Sequence, residues 1–234
     1  MNILAVETSG EQASAALIAS DRIFEIQLPG HKNHSERLLS SIEALLSRAG
    51  QDLSVIDALA FGAGPGAFTG LRLGCAVMQG LAQASELPLF PINSLLALAT
   101  RLTQEKLTEG NIVVAVDARM AEIYTACFQL RQGKVHVLSE PVCISPLQLE
   151  LPEDDAPWYA AGNAWQVYSE QLLPRHGERL HLIYDHLTPQ AGDIARIASE
   201  RLERGETGVS PEYALPLYIR DKVALTVEER QNRK

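Results

Sequence analysis

The chain has 234 residues, 46% of them hydrophobic and 21% charged, with a formal net charge of −9. That suffices for one sizeable core or two small lobes. The acid excess argues against gripping a phosphate backbone over a broad surface, and no apolar stretch reaches membrane-spanning length. Three cysteines, Cys75, Cys127 and Cys143, lack Cys-x-x-Cys spacing and read as reduced core thiols of a cytosolic protein.

Residues 1–7 carry no basic n-region and only a short apolar run, so they predict a strand and not a signal peptide. The run 3–8 ends in Glu7-Thr8. A second run at 13–19 is followed by the turn Ser20-Asp21-Arg22 and a third run at 23–28. His31-Lys32-Asn33-His34 sets two imidazoles three residues apart in a polar loop without a further ligand, so His34 or Ser35 reads as a helix start. Residues 35–49 place apolar side chains at 38, 39, 42, 45, 46 and 49, a helical stripe closed by Gly50.

Next comes Gly62-Ala63-Gly64-Pro65-Gly66-Ala67-Phe68-Thr69-Gly70-Leu71-Arg72-Leu73-Gly74, between an apolar run at 58–61 and a small-sided helical run at 71–84. Glycines at a strand-to-helix turn mark bends or close approaches that a Cβ obstructs. The segment lacks the Lys-Ser/Thr ending of a phosphate loop and the spacing of a dinucleotide fingerprint. Internal glycine costs a helix about 1 kcal/mol relative to alanine. Gly70, Gly74 and Gly80 therefore need compensation, most simply by close approach of another helix.

A break is expected near 104–111. A strand at 112–117 then ends in Asp117, and strands at 122–130 and 135–138 flank the turn Arg131-Gln132-Gly133-Lys134. Trp158 to Asn163 look like a strand and turn whose Trp158 and Trp165 serve packing, since Lys and Arg for base stacking are absent nearby. Thr188-Pro189 is expected to cap a helix with apolar residues at 191, 194, 195, 198 and 202, closed by Gly205. The last residues, 221–234, are polar and mixed in charge, either a frayed end or a partner-binding peptide.

The two halves repeat one plan, a strand ending in an acid followed by a strand pair. This predicts an α/β, two-lobed, duplicated ribonuclease-H-like fold, that of actin, Hsp70-type ATPases and sugar kinases (ASKHA), its second lobe degenerate. The division expected is 1–105 for the first lobe with partner-binding helices, 106–217 for the second lobe and 218–234 for a tail. In that fold Glu7, Thr8 and Asp117 occupy matching places at the interlobe cleft. They are candidates to ligate magnesium and orient a phosphoryl group, or else to cap loops and pair with Arg119.

The segment 64–74 closely resembles the signature of the TsaB (YeaZ) family. So do Ile3-Leu4-Ala5-Val6-Glu7-Thr8-Ser9, His34 to Leu39, Glu86-Leu87-Pro88, Val116 to Tyr124 and Pro216-Leu217-Tyr218-Ile219-Arg220. The resemblance spans about 1–224, is weakest over 140–210, and departs at Ala67, where the family often has serine. It implies an accessory, non-catalytic protein in forming threonylcarbamoyladenosine at position 37 of tRNAs that read codons beginning with adenine. The implied partners are the catalytic paralogue TsaD, the ATPase TsaE, a second copy of the chain as homodimer, and tRNA through the complex, with no membrane. No cofactor is implied for the chain alone, and ATP or ADP is a candidate at the complex interface. TsaD-type proteins bind a metal through a His-x-x-x-His helix, and the matching positions here read Ser94 and Leu98, which cannot replace two imidazoles.

The resemblance also places partner binding on the helices 35–49 and 70–84. The residues expected there are Leu38, Leu39, Ile42 and Leu45, with Gly70, Arg72, Gly74, Val77, Met78 and Leu81. Two rival functions remain: a nucleotide-binding phosphotransferase or ATPase using Glu7, Thr8 and Asp117, and a peptidase acting on TsaD. No Gly-x-Ser-x-Gly elbow supports a serine nucleophile.

Overall fold

The computed structural model describes residues 1–20, 22–28, 34–153 and 155–220, those at 34–36 by backbone alone. His31, the His34 side chain and the 221–234 tail lie outside the described residues. Three antiparallel strands open the chain, β1 (Ile3–Glu7), β2 (Ser14–Ala19) and β3 (Arg22–Gln27). Helix α1 (His34–Ala49), strand β4 (Ala58–Gly64), helix α2 (Phe68–Ser85), strand β5 (Leu89–Asn93) and helix α3 (Ser94–Arg101) follow. The second half runs β6 (Gly110–Arg119), β7 (Glu122–Arg131), β8 (Lys134–Val137), β9 (Val142–Ile144) and β10 (Trp158–Ala161). It closes with α4 (Ala164–Val167), α5 (Ser169–His176), β11 (Leu180–Tyr184) and α6 (Ala191–Glu203).

The duplication is visible in the sheets. The first has the order β3-β2-β1-β4-β5, and the second, read from its hairpin edge, β8-β7-β6-β10-β11. In each, the first strand of the lobe pairs antiparallel with the second, and parallel with β4 in the first sheet and with β10 in the second, where β9 also joins β7 antiparallel. The second lobe keeps the whole strand order; its degeneration lies in the short helices α4 and α5 where the first lobe has the long α2.

Alternation along the first strand of each lobe explains why both sheet faces are covered. Leu4 and Val6 face the cluster beneath α1 and α2, whereas Ile3 and Ala5 face Ile194, Ala195 and Ala198 of α6. In β6, Ile112 and Val114 meet Leu95, Leu98 and Leu102 from α3 and the turn after it, and Val113 and Ala115 meet Trp158, Trp165 and Leu172. Cys75 and Cys127 are buried, Cys143 half-buried, and all are free thiols.

A cut at residue 105 therefore separates the sheets but not the cores. Helix α6, from late in the chain, completes the first lobe, and α3 lies between the lobes. Its start also differs from expectation. Gln190 stands at the N-cap of α6 without a side-chain capping bond, in place of a cap at Thr188-Pro189; its side chain instead accepts from Arg101 at 2.7 Å. Free N–H groups of its first turn are instead taken by the first lobe: Ala191 N–H donates to Ser14 Oγ at 2.8 Å and Gly192 N–H to Glu25 Oε1 at 2.9 Å.

Helices α3 and α6 are tied by Asp193, whose side chain is buried. It accepts from Gln104 Nε2 at 2.7 Å and pairs with Arg101 at 3.3 Å. Burial pushes its carboxyl up to about 6 against the Arg101 cation, which holds it down. The folded state thus binds this proton more tightly than the unfolded chain, where the carboxyl has its usual 3.8. The stability tied to this proton is full below that value and is lost as pH rises through 6. Asp193→Asn should flatten the fall in unfolding free energy between pH 4 and 6, by on the order of 2–3 kcal/mol, in urea titrations at half-unit pH steps. An unaltered slope would place the titrating group elsewhere.

Candidate functional site

The ends of β1 and β6 converge on one interlobe cleft, a cavity of about 1050 Å³ reached by Thr8, Gly66, Ser94, Asp117, Asn163 and Leu187. The glycine-rich segment closes one wall by packing its backbone onto the turn after β1. Ala67 N–H donates to Ser9 O at 2.7 Å, and Thr8 Oγ1 donates to Gly70 O at 2.7 Å. A Cβ on Gly70 would overlap the Thr8 carbonyl, and one on Gly74 would fall 2.5 Å from Thr8 Oγ1. The small side of α2 thus serves the chain's own β1 turn before any partner.

Glu7 and Asp117 occupy equivalent places with opposite surroundings. Glu7 is fully buried, and its carboxylate accepts from Ser9 N–H at 2.5 Å and Ser94 Oγ at 2.8 Å. Burial pushes its carboxyl above the usual range, with the Ser9 and Ser94 bonds opposing the rise. Gly62 lies directly behind it, and a Cβ there would overlap the carboxylate. Asp117 accepts from Arg119 N–H and from Tyr168 OH, each at 2.8 Å, and pairs with the Arg119 guanidinium at 3.2 Å. Arg119 also reaches Glu11 of the other lobe at 3.0 Å. The Tyr168 phenol is pushed up to about 12 by desolvation and by Asp117.

Both acids are therefore committed within the protein. They do not present the free oxygens that a magnesium–phosphate site requires, and no phosphoryl-transfer step follows from them. Among the described residues no three His, Cys, Asp or Glu side chains stand together to hold a metal. The two positions matching metal histidines belong to the fold: Ser94 serves Glu7, and Leu98 is fully buried.

The expected docking residues divide. Leu38, Ile42, Leu45, Gly74 and Met78 are buried in the first lobe's core, a correction to their placement on a partner surface. The helical stripe that predicts them marks the face turned toward β2 and β4, and Gly70 is held against Thr8. Leu39 is 47% exposed, Arg72 is exposed, and Val77 and Leu81 are half-buried. Gly80 is exposed, with open space where a Cβ would lie.

Sequence reasoning misses two features at the cleft mouth. Arg119, Met120 and Ala121 have φ of 63°, 57° and 59°, three successive non-glycine residues in the left-handed region. Each costs roughly 1–2 kcal/mol, and such outliers gather where the surroundings over-determine them. A hairpin of this turn type ordinarily carries Asn-Gly or Asp-Gly, as the β7–β8 turn approximates with Gln132-Gly133. The other feature is the segment after α6, which returns to the cleft through Leu217 to Arg220.

Two sheets of one strand order, each presenting the turn after its first strand to a shared cleft, define an actin-like ATPase fold. Within that class the chain belongs to the TsaB family of tRNA threonylcarbamoyladenosine biosynthesis proteins. It is 32% identical to TsaB of Escherichia coli K12 over 96% of both chains. It is 37% identical to TsaB of Haemophilus influenzae, over 73% of this chain and 75% of that one. The profile of the family described as TsaD, tRNA N6-adenosine threonylcarbamoyltransferase, matches residues 29–226. A solved structure of YeaZ from Pseudomonas aeruginosa superposes with a TM-score of 0.82 at 37% identity, covering 93% of this chain and 99% of that one. Another, an uncharacterized protein with similarity to peptidase YEAZ from the same organism, gives 0.86 at 38% identity over 94% and 99%. Among the described residues no helix is long and apolar enough to cross a membrane.

The contact between Gly62 and Glu7 leaves no room for a further carbon at the centre of this site. Gly62→Ala should destabilise the chain by about 1–3 kcal/mol through overpacking. Glu7→Ala in the same chain should relieve part of that loss, so a thermal-unfolding double-mutant cycle gives a nonzero coupling. Additive losses would separate the two residues.

Proposed function

We propose that the chain is a non-catalytic scaffold for threonylcarbamoyl transfer to adenosine 37 of tRNAs reading codons that begin with adenine. The chemistry belongs to a catalytic TsaD partner, with the ATPase TsaE joining the larger complex and tRNA reached through that complex. One observation carries this reading: each residue placed for metal or phosphate chemistry is consumed by the fold. Glu7 is buried against Ser9 and Ser94, Asp117 is bonded to Arg119 and Tyr168, and Leu98 is core. A protein so built contributes by holding a partner in a competent conformation, a shift of populations. The setting is cytoplasmic, the isolated chain holds no cofactor tightly, and ATP or ADP belongs at the complex interface.

The docking face we assign is the outer side of the first lobe's helices, with Leu39 on α1 and Val77, Gly80 and Leu81 on α2. The same face serves self-pairing when TsaD is absent. Its small residues permit close helix approach, and the core-facing residues fix its orientation. The cavity sits where a nucleotide would lie in a kinase of this fold, so an ATPase is the rival to test. Calorimetry of the isolated chain with ATP and Mg²⁺ should show no tight binding, while copurification with TsaD should succeed and transfer activity should require the chain. Turnover of ATP by the chain alone, or cleavage of TsaD on incubation, would replace the scaffold reading.

Gly80 offers a clean separation of docking from folding, because its Cβ position is open. Gly80→Leu should raise the chain's own stability by up to about 1 kcal/mol, since glycine is a poor helix former. The same variant should weaken association with TsaD at least a hundredfold by calorimetry. Unchanged affinity would move the interface off this helix.

A further inference from the structure

The chain after α6 makes a path that neither the fold nor the proposed docking accounts for. Its first part lies along the inner side of α2. Gln79 Nε2 donates to the carbonyls of Pro211 at 2.9 Å and Ala214 at 3.1 Å, and the Cys75 thiol donates to Ala214 O at 3.1 Å. Leu217 N–H then donates to Ala63 O at 2.7 Å, at the end of β4. Tyr218 sets its ring 5.5 Å from that of Phe68, and its hydroxyl accepts from Arg72 Nε at 3.3 Å. The Arg72 guanidinium lies 3.7 Å over the same Phe68 ring. All of these anchors belong to the first lobe.

Two residues later the chain has crossed the cleft. Arg220 donates to the Arg119 carbonyl at 3.2 Å, pairs with the Glu122 carboxylate, and reaches Met120 Sδ at 3.9 Å. Its side chain is 14% exposed and lies beside the Tyr124 ring. These contacts bracket the turn at 119–121, holding the carbonyl of its first residue and the carboxylate just beyond its last. That is the turn whose Met120 and Ala121 lack the local preference for left-handed backbone. An arginine about a hundred residues away supplies a restraint that the turn's own residues do not.

We propose that residues 211–220 form an interlobe strap, anchored on the first lobe through Leu217 and Tyr218 and on the second through Arg220. Arg220 is a positioning residue: it pins the β6–β7 turn in its left-handed form, with Met120 presented outward. The strap runs along the Arg72–Cys75–Gln79 flank of α2, so it links the helix assigned to partner docking with the turn at the cleft mouth. The strap itself rests only on intramolecular contacts and stands whether or not the docking reading does.

A strap held at two anchors differs from two separate local contacts in a way that amide exchange reads directly. The full chain would be followed by hydrogen–deuterium exchange in wild type, Tyr218→Ala and Arg220→Gln. Tyr218→Ala touches only the first lobe, yet it should speed exchange at Arg119, Glu122 and Ile123 at least tenfold. Arg220→Gln touches only the second lobe, yet it should speed exchange of the Leu217 amide at least tenfold. In both variants the amides inside β1 and β4 should keep their protection. Effects confined to the mutated end would reduce the segment to local ties and overturn the strap. General loss of protection through β1 and β4 would make it an ordinary stabiliser, which also overturns the inference.

Discussion

The position of α2 against the end of β1 governs this molecule, and a backbone-to-backbone contact fixes it. Thr8 donates to the Gly70 carbonyl, Ser9 accepts from Ala67, and neither Gly70 nor Gly74 has room for a Cβ. With that contact set, Leu71, Cys75, Met78 and Ala82 fall into the core, and Gly80 is turned outward. One flank of the same helix, from Arg72 through Cys75 to Gln79, meets the returning chain. Three surfaces of one helix are thus allotted by a single approach that only glycine permits. The glycines that weaken the helix by propensity are repaid at two of their three positions by this intramolecular fit.

The duplicated plan places an acid at the end of each first strand, and the two acids illustrate how environment decides role. Glu7 is fully buried among serines, where its charged form is disfavoured and its donors are fixed. Asp117 sits beside an arginine and a tyrosine, and it organises the start of a turn. Neither resembles the partly hydrated, cation-accepting carboxylate of a phosphotransfer site. The fold is that of actin-like ATPases, yet the two acids at its cleft serve internal order. Function in this family is accordingly argued from the site and the surfaces, and not from the fold alone.

Much of the architecture is readable in the sequence because it rests on local periodicity. The continuous apolar runs at 3–7 and 112–117, the apolar stripe in 35–49 and the Gln132-Gly133 turn each announce their elements. What is not readable depends on distant partners. A stripe such as Leu38, Ile42 and Leu45 is the same whether it faces the chain's own sheet or another protein, and here it faces the sheet. The start of α6 is fixed by Ser14 and Glu25, far away in sequence, so a local capping pattern at Thr188-Pro189 misplaces it. The turn at Met120-Ala121 violates hairpin preference because Arg220 over-determines it, and Arg220 carries no local sign of that task. Local reasoning therefore fails where long-range contacts override local rules.

The placement of α6 has a consequence for how the chain reaches this state. Ile3 and Ala5 precede by about 190 residues the Ile194, Ala195 and Ala198 that cover their inner face. During synthesis the first sheet must wait, one side bare, until α6 at 191–203 has left the ribosome. Its contacts of high sequence separation close a very long loop, which slows folding and lengthens the exposure of apolar strands. The lobes are duplicates in topology but not in time: the second can assemble as it emerges, and the first is finished last.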